Sequence, residues 1–348
     1  VIGIDGSLYS GSGSVVRQAV AYAGLTCQPV RIWNARARRP HPGLRPQHVR
    51  AVEAVRDLVG GALEGATVGS RTLAFSPGRL IPEGRYAWDV GTAGSATALA
   101  LAVLPLLVCR GRGVELEIRG GLFQDSAPSV FHLQHVLLPL VGRVGVDAEL
   151  ELVRPGYTPI GGGIIRLIVH PAPHGLHPVT LDQPGNVRSL WGIALSSHLE
   201  YRHVSARMAN AAGGVLAAEG FDVEIEQRND LTAAQPGAAF ALFADLTHGV
   251  RLGADGAGAP HRRAEHIGAT VARQLLHEIA SGATTDRFTA DQILPFAALA
   301  SGDSIFRIPS VTEHVTTGLW LASLFLGTGA RVTHDRIVIH GSAARIAH

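Results

Sequence analysis

The sequence predicts an α/β (α+β) chain in which three βαβαββ repeats form one large domain, with a small α/β domain inserted into it. Three observations predict it. A helix opened by a His-Val pair recurs three times and leads each time into alternating strand residues. Another helix and strand precede each of these helices. Roughly a hundred further residues separate the second unit from the third, and self-similarity at a fixed spacing is the signature of a repeated unit. The passage from helix to strand shows as a change of apolar period from 3.6 to 2.

In the first unit Val15, Val16, Ala19, Val20 and Ala23 share one helical face, and residues 29–32 read as the strand that follows. Gln47-His48-Val49 then opens a helix with apolar positions at Val52, Val55, Leu58 and Val59, and an alternating segment ends at Phe75-Ser76-Pro77-Gly78. In the second unit a helix over 98–108 leads to a strand at 114–118. Gln134-His135-Val136 opens the next helix, and Gly161-Gly162-Gly163 precedes an alternating run over 164–170. The third unit pairs a helix over 290–300 with a strand at 304–308. Glu313-His314-Val315 then opens a helix through Leu319, Ala322 and Leu326, before a strand at 336–340. These units predict a large domain of residues 1–180 and 284–348. The inserted domain, 181–283, is expected to hold strands at 221–225 and 239–243, a long helix over 264–280, and a loop at the Gly/Ala cluster 254–259.

Composition excludes several function classes. All 30 basic residues among the 348 are arginine, and there is no lysine. A P-loop NTPase needs its motif lysine on the outer phosphates, and lysyl-nucleotide ligases, Schiff-base aldolases and pyridoxal enzymes need a lysine nitrogen. None of these mechanisms can run on this chain. The 42 glycines and 19 prolines stay below the roughly 25–30% of a low-complexity chain. Two distant cysteines, Cys27 and Cys109, suit a reducing compartment rather than a disulfide framework. The apolar run 96–109 is broken by Pro105 and is short of the ~20 residues of a membrane span. No basic-then-apolar leader is present, so a soluble cytoplasmic protein is expected. With a net charge of +2, anion binding must come from local arginine clusters.

The densest such cluster runs from Arg36 to His48, with Arg36, Arg38, Arg39, Arg45, His41 and His48 among prolines 40, 42 and 46. Guanidinium groups fork onto phosphate oxygens, and a proline-stiffened loop would pre-organise them. The bland alternative is a solvated basic loop. The glycine-rich turn from Asp5 to Ser14 could cradle phosphate on backbone N–H groups or serve only to turn the chain. Ser310-Val-Thr-Glu313 matches the S-x-x-E capping box and so places His314 in a first helical turn. There the helix dipole favours the neutral imidazole, the form able to attack phosphorus. Thr289-Ala290-Asp291-Gln292 matches T-x-x-Q, so Gln292 is read as a cap, with Asp291 a candidate metal or nucleotide contact.

Together these pieces resemble the RNA 3′-terminal phosphate cyclase family over nearly the whole chain. The landmarks, in order, begin with Asp5-Gly6-Ser7 and the glycine loop to Arg17, then Arg36 to Arg39 and Pro42-Gly43-Leu44-Arg45-Pro46-Gln47-His48. Glu64-Gly65-Ala66, Phe75-Ser76-Pro77-Gly78, Ala93-Gly94-Ser95 with Thr97, Gly120-Gly121 and Ser126-Ala127-Pro128 follow. Gly156-Tyr157, Gly161-Gly162-Gly163, Ala290-Asp291-Gln292 with Leu294-Pro295, and His314 complete the series. The resemblance implies the three-repeat fold with its inserted domain, and ATP as co-substrate with Mg²⁺ or Mn²⁺. It implies that a histidine, matched by His314, attacks the α-phosphate of ATP to form histidine–AMP. AMP passes to an RNA 3′-phosphate, and the neighbouring 2′-OH displaces it to close a 2′,3′-cyclic phosphate.

By the same resemblance Phe288, Thr289, Ala290, Asp291 and Gln292 form the nucleotide-binding segment, with Pro128 in the pocket and Asp291 also near the metal. Arg17, Arg36, Arg39, Arg45, Gln47 and His48 fall on phosphate- or RNA-binding positions. The expected partner is RNA ending in a 3′-phosphate, with a homodimer left open and no membrane involved. This chain departs from the family's usual E-G-G-G-Q loop, reading Ser10-Gly11-Ser12-Gly13-Ser14. Leu101 stands where a glutamine is usual, Gly318 where an asparagine is usual, and an acid expected near Phe123 is missing. Serine is a poorer ligand than carboxylate for a hard cation, so a weaker or differently built metal site is expected. Two alternatives accompany the main reading: adenylyl transfer to another terminal phosphate, and a non-catalytic RNA-binding scaffold.

Overall fold

The computed structural model describes residues 1–125 and 127–342, so Ser126 of the Ser-Ala-Pro landmark lies outside the described residues. The chain forms a large mixed α/β assembly containing four four-stranded sheets. The first sheet is built from β1 (Ile2–Asp5), α1 (Gly13–Thr26), β2 (Val30–Trp33), α2 (Pro46–Val59), β3 (Gly61–Glu64) and β4 (Leu73–Pro77). Its order is β1-β2-β4-β3, with β1 and β2 parallel and the other pairings antiparallel.

The second sheet has the same pattern. After β5 (Gly84–Asp89), α3 (Ala96–Arg110) and β6 (Val114–Gly120) comes a helical run of α4 (Val130–His132), a π turn (Leu133–Leu137) and α5 (Leu138–Gly142). Strands β7 (Asp147–Arg154) and β8 (Gly163–His170) finish the order β5-β6-β8-β7. Next, β9 (Thr180–Leu181) precedes a separate sheet made of β10 (Val187–Ser197), β11 (Val223–Asp230), β12 (Gly237–Leu246) and β13 (Arg251–Ala257), with α6 (Val204–Ala218) joining β10 to β11. This sheet is ordered β11-β10-β12-β13 and leads into α7 (Ala264–Ala280). The chain then runs through α8 (Thr289–Gln292), α9 (Leu294–Leu299), β14 (Asp303–Arg307), α10 (Glu313–Leu326), β15 (Ala330–Thr333) and β16 (Arg336–His340). The last sheet, β9-β14-β16-β15, again has one parallel pair and two antiparallel ones.

The apolar periods explain the layers. Strands such as β2 and β8 bury alternate residues, so each covers helices with one face only. Inside, α1 packs on α2, α3 and α10, and Tyr22 stacks on Phe325 with ring centroids 5.7 Å apart. By contrast β12 is buried along nearly its whole length. Helix α7 covers one face of its sheet, and the π turn packs on the other, where His135 meets Phe243 edge-on at 5.4 Å.

The structure corrects several expectations. Residues 254–259 are not wholly loop, because 254–257 belong to β13. Their small size serves packing: a Cβ on Gly253 would lie 2.8 Å from Val136 Cγ2, and one on Gly256 2.9 Å from Val271 Cγ2. Small residues thus let helical layers close on both faces, and composition alone misread them as a turn. The helix expected from Gln134 starts at Val130, capped by Ser129, whose hydroxyl accepts from His132 N. The helix over 290–300 is split into α8 and α9, since Pro295 lacks the N–H a continuous helix needs.

One buried carboxylate ties these layers together. Asp286 Oδ1 accepts from Phe288 N at 3.0 Å, Thr289 N at 2.8 Å and Thr289 Oγ1 at 2.9 Å. Its Oδ2 accepts from Gly253 N at 2.9 Å and lies 2.9 Å from His132 Nε2. Burial opposes its charge, but His132 and the N–H donors prevail and hold its pKa below the ordinary value. Burial would likewise depress His132, and Asp286, reinforced by Asp255, raises it above the usual imidazole range. Asp286→Ala would leave these donors and a buried imidazolium unpaired. A loss of about 3–5 kcal/mol is expected, read as a lowered denaturant midpoint; an unchanged midpoint would refute this role.

Candidate nucleotide-binding and catalytic site

Two helix starts face each other across a cavity. Ser12 caps α1, its hydroxyl accepting from Ser14 N at 3.3 Å, and Thr312 caps α10, accepting from Val315 N at 3.2 Å. The expected Ser310 box does not form, yet His314 still falls in the first turn because the cap lies only two residues later. His314 Nδ1 is 3.2 Å from Ser14 Oγ. Between the helices lies a cavity of about 240 Å³. Its wall includes Arg17, Pro128, Phe288, Asp291, Gln292 and His314, so six residues expected from different parts of the sequence meet there.

The remaining expected residues are placed otherwise. Ala290 and Thr289 are buried behind the cavity wall. Thr289 does not form the expected T-x-x-Q box: Asp286 receives its N–H and hydroxyl, and the Gln292 amide donates to Asp291 Oδ2 at 2.9 Å. Gln47 accepts from Ser95 N at 3.0 Å, which ties α2 to the start of α3. His48 is buried, and its Nδ1 accepts from Arg45 N at 3.1 Å. Burial, followed by Arg17, Arg36 and Arg45, pushes its pKa to about 2. His48 is therefore neutral, and its ring holds the backbone of Arg45 at the start of α2. It packs so tightly on α1 that a Cβ on Gly13 would sit 2.0 Å from Nε2.

Sequence reasoning missed Gln18, Arg287 and Thr312 on the cavity wall, and it named Ser14 only as part of the glycine-rich turn. Arg287 lies over the Phe288 ring, 4.8 Å from its centroid, and Gln18 Oε1 is buried with no partner among the described residues. Asp286, three residues before Thr289, was missed as well, because its role depends on residues far away in sequence. Ala98, Leu101, Ala102, Pro128 and Pro295 make part of the wall apolar.

Of the expected arginines only Arg17 lines the cavity; Arg36, Arg39 and Arg45 are not on its wall, and Arg39 reaches His314 through its charge. Arg36 donates to the His41 carbonyl at 2.7 Å and the Gly43 carbonyl at 2.6 Å, which fastens the loop on itself. Burial lowers its pKa, and Arg45 and Arg39 add to the effect. Burial likewise brings Arg17 to about 10, with Asp291 opposing and Arg36 reinforcing. Among the described residues Arg17, Arg39 and Arg45 make no salt bridge. Arginines that crowd each other without carboxylate partners raise the local positive potential. Burial, then Arg39 and Arg17, hold the His314 pKa below its ordinary value, so its ring is neutral at pH 7.

Among the described residues Asp291 is the one carboxylate on the cavity wall, and burial raises its pKa to about 7. Among the described residues no three His, Cys, Asp or Glu side chains group to hold a metal ion. The loop serines bond to one another. These residues do not fit a protein-built site for a divalent cation.

A sequence profile described as RNA 3′-terminal phosphate cyclase matches residues 8–332. The chain belongs to the RNA 3′-terminal phosphate cyclase family. It is 36% identical to the RNA 3′-terminal phosphate cyclase of Staphylothermus marinus over 94% of this chain and 92% of that one. It is 37% identical to that of Methanopyrus kandleri over 95% of each, and 39% identical to that of Nitrosospira multiformis over 97% of this chain and 94% of the relative. The profile spans both the glycine loop and His314, the two sides of the cavity. Among the described residues no helix is long and apolar enough to cross a membrane.

The charge arrangement sets a direction for pH dependence. His314 is expected to titrate below 6.5, since burial and two arginines disfavour imidazolium. Removing one positive neighbour by Arg39→Ala should move that pKa up. Histidine NMR titration, assigned with His314→Asn, measures both; a His314 pKa above 6.5 in the parent protein would contradict the geometry.

Proposed function

We propose that this protein is an ATP-dependent RNA 3′-terminal phosphate cyclase and that the cavity is its adenylylation site. The observation that carries the reading is the placement of a neutral imidazole between an apolar slot and unpaired arginines. The slot beside Leu101, Pro128, Phe288 and Pro295 suits a purine base, with Asp291 and Gln292 as polar contacts. The arginines suit phosphates: Arg17 and Arg39, nearest His314 in their electrostatic effect, would stabilise charge on the transferring phosphoryl group.

His314 attacks the α-phosphorus of ATP and displaces pyrophosphate. The oxygen of an RNA 3′-phosphate then takes AMP from His314, which converts that phosphate into a mixed anhydride with a good leaving group. The adjacent 2′-OH, already beside it, closes the ring in a unimolecular step, and AMP leaves. Arg36 and Arg45 extend positive charge along the loop for the RNA end. Magnesium or manganese would accompany ATP itself; none of these steps is assigned to a protein-held ion.

We also infer that the three similarly ordered sheets are copies of one βαβαββ unit and that residues 181–283 are an insertion in the third. In support, the Thr284 hydroxyl donates to the Leu181 carbonyl at 2.7 Å. The chain therefore leaves and rejoins the third sheet at neighbouring points, as inserted domains do.

Incubation with α-labelled ATP should leave label on the protein through an acid-labile, alkali-stable bond, and His314→Ala should abolish it. Arg39→Ala should slow labelling roughly 100-fold. An oligonucleotide with a 3′-phosphate should become a 2′,3′-cyclic phosphate. A parent protein that takes up no label with either metal would support the RNA-binding scaffold instead.

A further inference from the structure

We propose that Tyr9 and Trp320 form a stacking platform for unpaired bases of the RNA strand just upstream of its 3′-phosphate. The proposal rests on the reading of this site as one that receives an RNA end. It adds a base-binding surface built from two residues outside the cavity wall.

The platform joins the glycine-rich turn to the helix that carries His314. That turn runs along α10 in register. Ser14 Oγ lies 3.2 Å from His314 Nδ1, and Ser10 N donates to Thr317 Oγ1 at 3.2 Å. Tyr9 then meets Trp320, with ring centroids 4.8 Å apart and planes inclined by 32°. Residues three apart are neighbours on a helix surface, and six residues span ~9 Å of helix axis. A single strip of surface therefore leads from His314 to the aromatic pair.

Tyr9 is held where packing alone gives little reason for it. It is 43% exposed, Trp320 is half-buried, and Leu8 and Leu324 beside them are exposed as well. Tyr9 also has a φ of 51°, a left-handed backbone that a bulky residue rarely adopts. Such strain persists where the surroundings impose it, and it gathers at functional sites. Here Arg38 imposes it. Its guanidinium donates to the Tyr9 carbonyl and pairs with Glu313 Oε1 at 2.6 Å. Its stem packs on Gly11, where a Cβ would lie 2.6 Å from Arg38 Cδ.

Neighbouring charge selects the occupant. Glu313 answers Arg38, but Arg39 makes no salt bridge among the described residues and lies close enough to act on His314 through its charge. A strand that is anionic along its backbone and offers a π face at every base fits this pairing of arginine and open ring. The two rings already lie against each other, so an incoming base extends an existing stack and little side-chain freedom is lost. Every base stacks, so the platform supplies affinity without sequence preference.

Binding of a single-stranded oligonucleotide with a 3′-phosphate, followed by tryptophan fluorescence without ATP, tests the platform apart from catalysis. RNA should change the emission of the parent protein, and Trp320→Phe should remove most of that change although Trp33, Trp88 and Trp191 remain. Tyr9→Gly deletes the ring and suits the positive φ, so the denaturant midpoint should not fall. It should bind the oligonucleotide about tenfold more weakly with the same salt dependence, since no phosphate contact is lost. Tyr9→Phe should bind as the parent does. An oligonucleotide made abasic next to its 3′ end should bind the parent as weakly as the intact strand binds Tyr9→Gly. Tyr9→Gly with the parent's RNA affinity, or with only its oligomeric state altered, would overturn the platform and leave the RNA reading standing. A parent protein that binds no RNA would overturn both.

Discussion

The site depends first on the buried Asp286 carboxylate. Five hydrogen-bond partners from three regions converge on it: the start of α8, Gly253 in β13, and His132 in α4. A carboxylate without water must be met by donors from every side, and here those donors are the segments that have to be aligned. Phe288 and Asp291, which line the cavity, hang from the same short turn. The sheet of β10 to β13 is thus coupled to the cavity wall through a single side chain.

Around that frame the chemistry is one of asymmetric charge. Arginines of the loop lie close enough to Arg17 for their charges to act on one another, and burial first, then mutual repulsion, lowers Arg17 and Arg36. The same field and the same burial keep His314 neutral. On the proposed reading, a site that repels protons from its imidazole while attracting phosphates would separate the two requirements of nucleophilic attack on a polyanion. Lysine could supply the charge, but without a lysine in the chain the fixed, planar guanidinium does so alone.

Legibility varied with how local the signal was. Helices α1, α2 and α10 were readable because their apolar faces recur at 3.6 residues within one segment. His314 was readable as a first-turn residue even though the cap is Thr312 and not Ser310, since either cap places it near the positive end of the helix. By contrast, β13 looked like a loop: its glycines answer to Val136 and Val271 on opposite faces, which no window of the sequence contains. His48 and Gln47 were placed at phosphate- or RNA-binding positions by the resemblance, and the structure adds that they hold Arg45 N and Ser95 N. Side-chain direction, which residue type does not give, set those partners.

The sequence by itself determined the family, the alternation of helices and strands, the absence of any lysine chemistry, and six of the residues around the cavity. The alternation and the missing lysines follow from composition and short-range patterns; the family and the cavity residues follow from the ordered landmarks of the resemblance. Only the tertiary structure decided that Ser14 meets His314 across 300 positions of chain, and that the loop serines join Thr317 rather than gather acids for a metal. It also decided that Asp286, not Thr289, receives the helix-start donors. Hydrogen bonds of that kind depend on distances of about 3 Å between residues remote in sequence, and only packing sets those distances.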